Sequence, residues 1–178
     1  MKHLFRLLIF LLMLIQTCFA KEGVKMITLT SGAFKNGARI PDKYTGESVD
    51  VSPKLMWSGL PKEAKSIAII CDDPDAPVGT WVHWVIFNID PKLFSISENV
   101  PKGEKIVLNG ASQGKNDFKK LGYGGPMPPA GPTHRYFFKI YALDKMLDLQ
   151  AGASKADLER AMQGHIIAQG QLMGTYSR

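Results

Sequence analysis

Two stretches of the chain gather side chains whose types and spacing could do chemistry. The first is Asp72-Asp73-Pro74-Asp75-Ala76-Pro77, followed after a short link by Trp81-Val82-His83-Trp84. Each proline holds its predecessor out of the helical region, so Asp73 and Ala76 are extended. Either X-Pro bond could be cis in a tight turn. The result is a stiff loop with carboxylates at fixed positions. The second stretch is Gly122-Tyr123-Gly124-Gly125-Pro126-Met127-Pro128-Pro129-Ala130-Gly131-Pro132-Thr133, which runs straight into His134-Arg135-Tyr136. Its prolines stiffen a segment that cannot be regular structure, and its glycines let backbone N–H groups approach a ligand.

Three chemistries fit these residues. Two imidazoles, the Tyr136 hydroxyl and backbone N–H groups are donors for an anion's oxygens, with Asp73 set to orient a histidine and raise its pKa. Both histidines would then be charged below neutral pH and hold the anion more tightly there. Alternatively, Asp73, His83 and His134 could form a two-histidine, one-carboxylate metal site. A third option is Gly110-Ala111-Ser112-Gln113-Gly114, a G-x-S-x-G match that could make Ser112 a nucleophile with Asp117 or Asp144 and His165. That motif needs a helix after it, and residues 115–129 carry breakers and no helical period. The unremarkable alternative is that the aspartates make turns and that Trp81 and Trp84 pack in a core.

The elements that must position these groups are mostly strands. Short β-type runs cover residues 25–30, 54–58, 66–71, 82–89 and 134–143, separated by Gly, Pro, Asn and Asp. Without amphipathic helices between them, they favour antiparallel sheets. Alternation in 82–89 sets His83, Val85, Phe87 and Ile89 against Val82, Trp84, Ile86 and Asn88. The same period in 134–143 puts His134, Tyr136, Phe138, Ile140 and Ala142 together. One helix is predicted, capped by Ser154 with Asp157 three residues on. Its stripe of Leu158, Ala161, Met162, His165, Ile166 and Gln169 ends at Gly170. Leu172–Tyr176 could return as a final strand.

Composition bounds the rest. The chain of 178 residues is 45% hydrophobic and 21% charged, which suits one globular domain and excludes a largely disordered chain. Lys2 and Arg6 flank a start that leads into the apolar residues 7–15, too short to span a bilayer, which takes ~20 residues. Small residues then reach Ala20, the layout of a cleavable secretory signal over 1–20, with a domain over 21–178. Lipidation at Cys18 is the weaker alternative, because Gln16 and Thr17 are poor neighbours for it. The expected location is therefore periplasmic or secreted, with no integral membrane span after cleavage. Loss of Lys2 and Arg6 takes the formal charge from +6 to +4. The remaining lysines are dispersed, so no nucleic-acid footprint is expected. Cys71 would be left alone in an apolar run, a buried inert thiol.

Asp73-Pro74-Asp75-Ala76-Pro77, His83-Trp84 and Gly125-Pro126 through His134-Arg135-Tyr136 together resemble the signature blocks of the phosphatidylethanolamine-binding protein family, which includes the Raf kinase inhibitor protein. The blocks stand in the family's order and span about residues 26–178. Val78-Gly79-Thr80, Asn116-Asp117-Phe118 and Gly174-Thr175-Tyr176 are similar to its bacterial branch. The resemblance implies a mainly β, antiparallel sandwich-like fold with one C-terminal helix and few short helices. It also implies a small anion pocket at one end, and no catalysis or cofactor. Carried over by position, Asp73, His83, His134 and Tyr136 line that pocket, walled by Ala76, Pro77, Trp81, Gly125 and Pro128. Met127 stands where many bacterial relatives have cysteine, which removes thiol chemistry there. The implied ligand is a small phosphate-type anion, whether a phospholipid headgroup or a phosphorylated residue. A protein partner, a kinase or protease among the candidates, could be inhibited through it, and the apolar C-terminal segment leaves room for a homodimer.

Overall fold

The structure is a computed structural model and describes residues 24–108 and 110–178. The leader predicted over residues 1–20, with Cys18, lies outside the described residues. Ten strands run in the order β1 (Lys25–Met26), β2 (Thr28–Ser31), β3 (Leu55–Ser58), β4 (Ser66–Asp73), β5 (Trp81–Ile89), β6 (Ser95–Ile96), β7 (Ile106–Val107), β8 (Ala111–Gln113), β9 (His134–Leu143) and β10 (Ile166–Tyr176). A short 3-10 helix covers Asp42–Tyr44, and the helix α1 spans Lys155–Met162. No helix among the described residues is long and apolar enough to cross a membrane.

Seven strands form one sheet in the order β1-β10-β9-β4-β5-β8-β7, and β2-β3-β6 form a second. Pairing is antiparallel throughout, apart from β1 on β10. The central strands β4 and β5 are largely apolar on both sides because both faces of the large sheet are covered there, whereas β9 is buried on one face and partly exposed on the other at Arg135, Phe137 and Lys139. One face packs Ile67, Ile69, Trp84, Ile86, Phe138 and Ile140 against Leu29, Leu55, Trp57 and Ile96 of the small sheet. The other packs Ala68, Ile70, Val85 and Phe87 against Leu147 and against Leu158 and Met162 of α1. This is the sandwich-like, mainly β architecture that the sequence led us to expect.

The helix is shorter than its apolar stripe suggests. Ser154 and Asp157 form the capping box at its start, each side chain accepting from the other's backbone N–H. It ends at Met162, and Gly164 at φ +80° turns the chain into β10. Residues 166–169 therefore belong to a strand that continues through the predicted return at 172–176. Gly170 does not stop a helix. A Cβ there would lie 2.0 Å from the Ile27 carbonyl oxygen, so the glycine lets the chain beside β1 approach. Leu172 and Tyr176 are buried inside the sheet.

Strict alternation also fails in β5. Cys71 pairs with Trp84 and Asp72 with Val82, so His83 has no partner and forms a β-bulge. Val82 consequently joins Val85 and Phe87 on the helix side, while Trp84 faces the main core. Farther along, Asn88 at φ +58° sends Phe87 and Ile89 to opposite faces. Its side chain accepts from the Leu147 N–H at 2.8 Å and donates to the Leu147 carbonyl at 2.9 Å.

Candidate functional site

The ends of β4, β5 and β9 meet at one end of the large sheet. Alternation at the end of β4 separates its two carboxylates. Asp72 turns to the helix side, where Lys139 and Lys155 hold it at 2.8 and 2.5 Å. Asp73 turns to the opposite face, toward β9. There its Oδ2 accepts from His134 Nδ1 at 2.8 Å, and its Oδ1 accepts from the backbone N–H of Asp75 at 2.8 Å. Both side chains of the Asp73–His134 pair are almost fully buried.

The proline-stiffened loop is clamped at its middle. The Asp75 carboxylate receives the backbone N–H of Arg135 at 2.9 Å and a forked pair from its guanidinium at 2.9 and 2.7 Å. That guanidinium holds the Asp75 carboxyl below the usual carboxylate range. All peptide bonds among the described residues are trans, so rigidity comes from the prolines and this clamp.

The bulge is what delivers His83 to the site. Freed from the strand's alternation, its ring lies edge-on to Tyr136, with centroids 5.1 Å apart, and edge-on to Phe118 at 5.5 Å. Its Nδ1 donates to the Gly124 carbonyl at 2.6 Å, while the Gly124 N–H returns a bond to the His83 carbonyl at 2.9 Å. Burial lowers the His83 pKa, and the Gly124 carbonyl and the Asp73 charge only partly oppose that. The His83 ring is therefore harder to protonate than a free imidazole. Its protonation falls to more acid conditions.

Tyr136 is the remaining polar member. Its hydroxyl is buried without a hydrogen-bond partner. Burial, and then the nearby Asp73 charge, push its ionisation well above the ordinary phenol range. Asp73 therefore acts on the hydroxyl by its charge and through a weak hydrogen-bond contact, too poor in geometry to satisfy the buried oxygen.

These groups line a cavity of about 160 Å³. Of the residues placed there from sequence, Asp73, Ala76, Pro77, Trp81, His83, Pro128, His134 and Tyr136 all line it. Gly125 does not. It borders an adjoining cavity of about 640 Å³ with Asp50, Lys102 and Tyr123. A Cβ on Gly125 would lie 2.3 Å from the Tyr44 carbonyl oxygen, and its N–H donates to Asp50 Oδ1 at 2.6 Å. A Cβ on Gly124 would likewise strike the Phe118 ring, 2.7 Å away. The two glycines serve tight packing, and their N–H groups are taken by protein acceptors rather than offered to a ligand. Sequence reasoning missed Val78, Phe118, Met127 and Pro129 as walls. Phe118 and Met127 border both cavities.

The competing chemistries lose their geometry. Ser112 sits within β8 opposite Phe87, not on a strand-to-helix turn. Asp144 pairs with His165 at 2.9 Å and Asp117 accepts from the Val82 N–H at 2.8 Å, so neither is directed at Ser112. Among the described residues, no three His, Cys, Asp or Glu side chains converge as a metal site. Cys71 is buried, and burial pushes its thiol pKa well up.

Comparison with known proteins decides the family. The sequence profile described as "Phosphatidylethanolamine-binding protein" matches residues 30–177. The chain belongs to the phosphatidylethanolamine-binding protein family. A UPF0098 protein of Methanothermobacter thermautotrophicus is 51% identical over 152 residues, covering 85% of this chain and 99% of that one. A UPF0098 protein of Pyrococcus abyssi is 46% identical over 180 residues, covering 100% of this chain and 99% of the other. Among solved structures, a phosphatidylethanolamine-binding protein homologue from Chlamydia trachomatis superposes with a TM-score of 0.79 at 41% identity, covering 86% of this chain and 99% of its own. The E. coli family member YBCL gives 0.80 at 31% identity, covering 85% and 98%. The family's fold accounts for the two sheets, the α-helix α1 and the loop-lined end of the large sheet.

Proposed function

We propose that this member of the phosphatidylethanolamine-binding protein family is a non-catalytic receptor for a small phosphate-type anion, recognised either free or displayed by a partner. The reading is carried by one observation, the buried Tyr136 hydroxyl without a partner in the wall of a small cavity. A buried donor left unpaired costs free energy, and an anion's oxygen removes that cost. The ring nitrogens support it. Each histidine uses Nδ1 on a protein acceptor, which leaves Nε2 for a ligand.

Asp73 would repel an anion if it faced one directly. It instead has both oxygens engaged by His134 and Asp75, consistent with orienting work. A binding role also fits the hydroxyls at the cavity: among the described residues, the only one lining it is a phenol whose ionisation is strongly opposed. Its stiff walls suit recognition of a phosphorylated group on a protein, and inhibition of that protein would follow from occupying the group. The proposed setting is outside the cytoplasm, as the leader over 1–20 implies.

Calorimetric titration with inorganic phosphate tests the reading, with His134→Ala as the control. Saturable one-to-one binding that weakens by about 10- to 150-fold in the variant is expected, the equivalent of one charge-assisted hydrogen bond at ~1.5–3 kcal/mol. Binding of equal strength in the variant would place the phosphate elsewhere.

A further inference from the structure

The hydrogen bond made by His83 fixes which of its ring nitrogens carries the proton. A peptide carbonyl has no proton to give, so Nδ1, 2.6 Å from the Gly124 oxygen, must be the N–H. That carbonyl belongs to the same peptide unit as the Gly125 N–H, which donates to Asp50 Oδ1 at 2.6 Å. The other Asp50 oxygen takes Lys102 Nζ at 2.5 Å. A carboxylate on the N–H end of a peptide polarises the unit and makes its carbonyl a stronger acceptor. Asp50 lines only the larger cavity, yet it acts on His83 through one peptide bond. It is a positioning residue.

The charged and titratable groups acting on His83 are Asp73, Asp50 and Asp72, with the Tyr136 ring packed edge-on. Their negative charges favour an imidazolium, and burial outweighs them. Near neutral pH, His83 therefore presents to the cavity a bare Nε2 lone pair, an acceptor where an anion needs donors.

The geometry points to selection for an anion that brings its own proton: a hydrogen phosphate or a phosphomonoester, in preference to a sulfate or a phosphodiester of similar shape. The inference rests on the anion-receptor reading and narrows its ligand class. A P–O–H donates to His83 Nε2, while Tyr136 donates to another oxygen of the same group. A phosphomonoester loses its second proton at a pKa of about 6, so a fraction still carries one near neutrality. Sulfate and phosphodiesters carry none, and their oxygens would face the lone pair directly. Below the lowered His83 pKa the ring gains its second proton, and proton-free anions then find a donor. Above the ligand's own pKa, binding a phosphomonoester requires uptake of one proton from solvent, so its affinity falls as pH rises.

The test titrates the full chain with inorganic phosphate, phosphoethanolamine, glycerophosphoethanolamine and sulfate at pH 5, 7 and 8. Nitrogen NMR of the His83 ring is recorded alongside. At pH 7 phosphate and the monoester should bind at least ~10-fold more tightly than sulfate and the diester, the cost of leaving one buried acceptor facing an anion. The gap should narrow as the pH falls, and the free protein at pH 7 should show His83 protonated at Nδ1 only. Asp50→Asn keeps an acceptor for the Gly125 N–H but loses the charge. It should narrow the gap at pH 7 and shift the His83 ring signals toward the other tautomer. Equal affinities for phosphate and sulfate at pH 7, a diester binding as tightly as the monoester, or a proton on Nε2 in the free protein would each overturn this inference while leaving an anion receptor in place. Failure of all four compounds to bind would overturn both. An Asp50→Asn variant with unchanged tautomer and unchanged selectivity would remove Asp50 from the argument.

Discussion

Replacing Tyr136 with phenylalanine should leave the free protein as stable as before, or more so, while removing its response to phosphate. Most changes at a residue 1% exposed destabilise, because they open a cavity or strand a partner. Here the substitution keeps the ring and its edge-on contact with His83. It deletes only an oxygen that has no hydrogen-bond partner. Removing an unsatisfied buried polar group recovers up to ~1–3 kcal/mol, less where water reaches the hydroxyl. For a chain of this size, 1 kcal/mol corresponds to roughly 2–4 °C in Tm. The free variant should therefore melt between the native Tm and several degrees above it. Added phosphate should raise the native Tm by mass action and leave the variant's almost unmoved. Thermal melts of both proteins, with and without phosphate, measure the two effects together. A free variant that melts several degrees below the native protein would show that the hydroxyl has a structural partner, and the reasoning about an orphaned donor would collapse.

Three further outcomes follow from other parts of the molecule. Asp72→Asn leaves Lys139 and Lys155 without their buried carboxylate. Chemical denaturation should show a loss of ~1–3 kcal/mol, because both ammonium groups keep access to water, with phosphate affinity little changed, since Asp72 lies on the face away from the cavity. Gly125→Ala drives a Cβ into the Tyr44 carbonyl and should cost ~1–3 kcal/mol or more in the same assay; a neutral result would mean that the 44–45 segment moves freely. Export should yield a mature chain beginning near Lys21, read by N-terminal sequencing, and an intact Met1 start in cytosolic protein would refute the leader.

The sequence made legible what rests on local chemistry. β9 begins and ends where its alternation does, and the capping box at Ser154 starts α1 as expected. The proline-fixed loop and the two histidines converge at the sheet end where the signature blocks placed them. What stayed hidden depends on cross-strand register. Nothing around His83 announces a bulge, because the extra residue exists only relative to β4. A helical stripe over 158–169 could not reveal that Gly164 would break it, since the gain from pairing β10 with β9 is a tertiary effect. Gly125 was misplaced for a similar reason. Its need to be glycine comes from Tyr44, Thr45 and Asp50, far earlier in the chain. Phe118 lies outside both chemical stretches, and its loop reaches β5 through tertiary contacts alone: a reciprocal pair of bonds between Asp117 and the Val82 backbone, and ring contacts with Trp81 and His83.

The partition between the two cavities is made of Phe118 and Met127, and no hydrogen bond involving either side chain holds it. The polar lining of the smaller cavity is fixed by directional bonds, so the arrangement of donors and acceptors is rigid. The bulk that can accompany the anion is not. It depends on a half-exposed methionine with three rotatable bonds, whose displacement would join a space of about 160 Å³ to one of about 640 Å³. In the proposed receptor, recognition of the charged group and tolerance of what is attached to it are therefore separate properties, carried by different residues. Exchanges at positions 118 and 127 can widen or narrow the range of esters admitted without disturbing a single polar contact of His83, His134 or Tyr136.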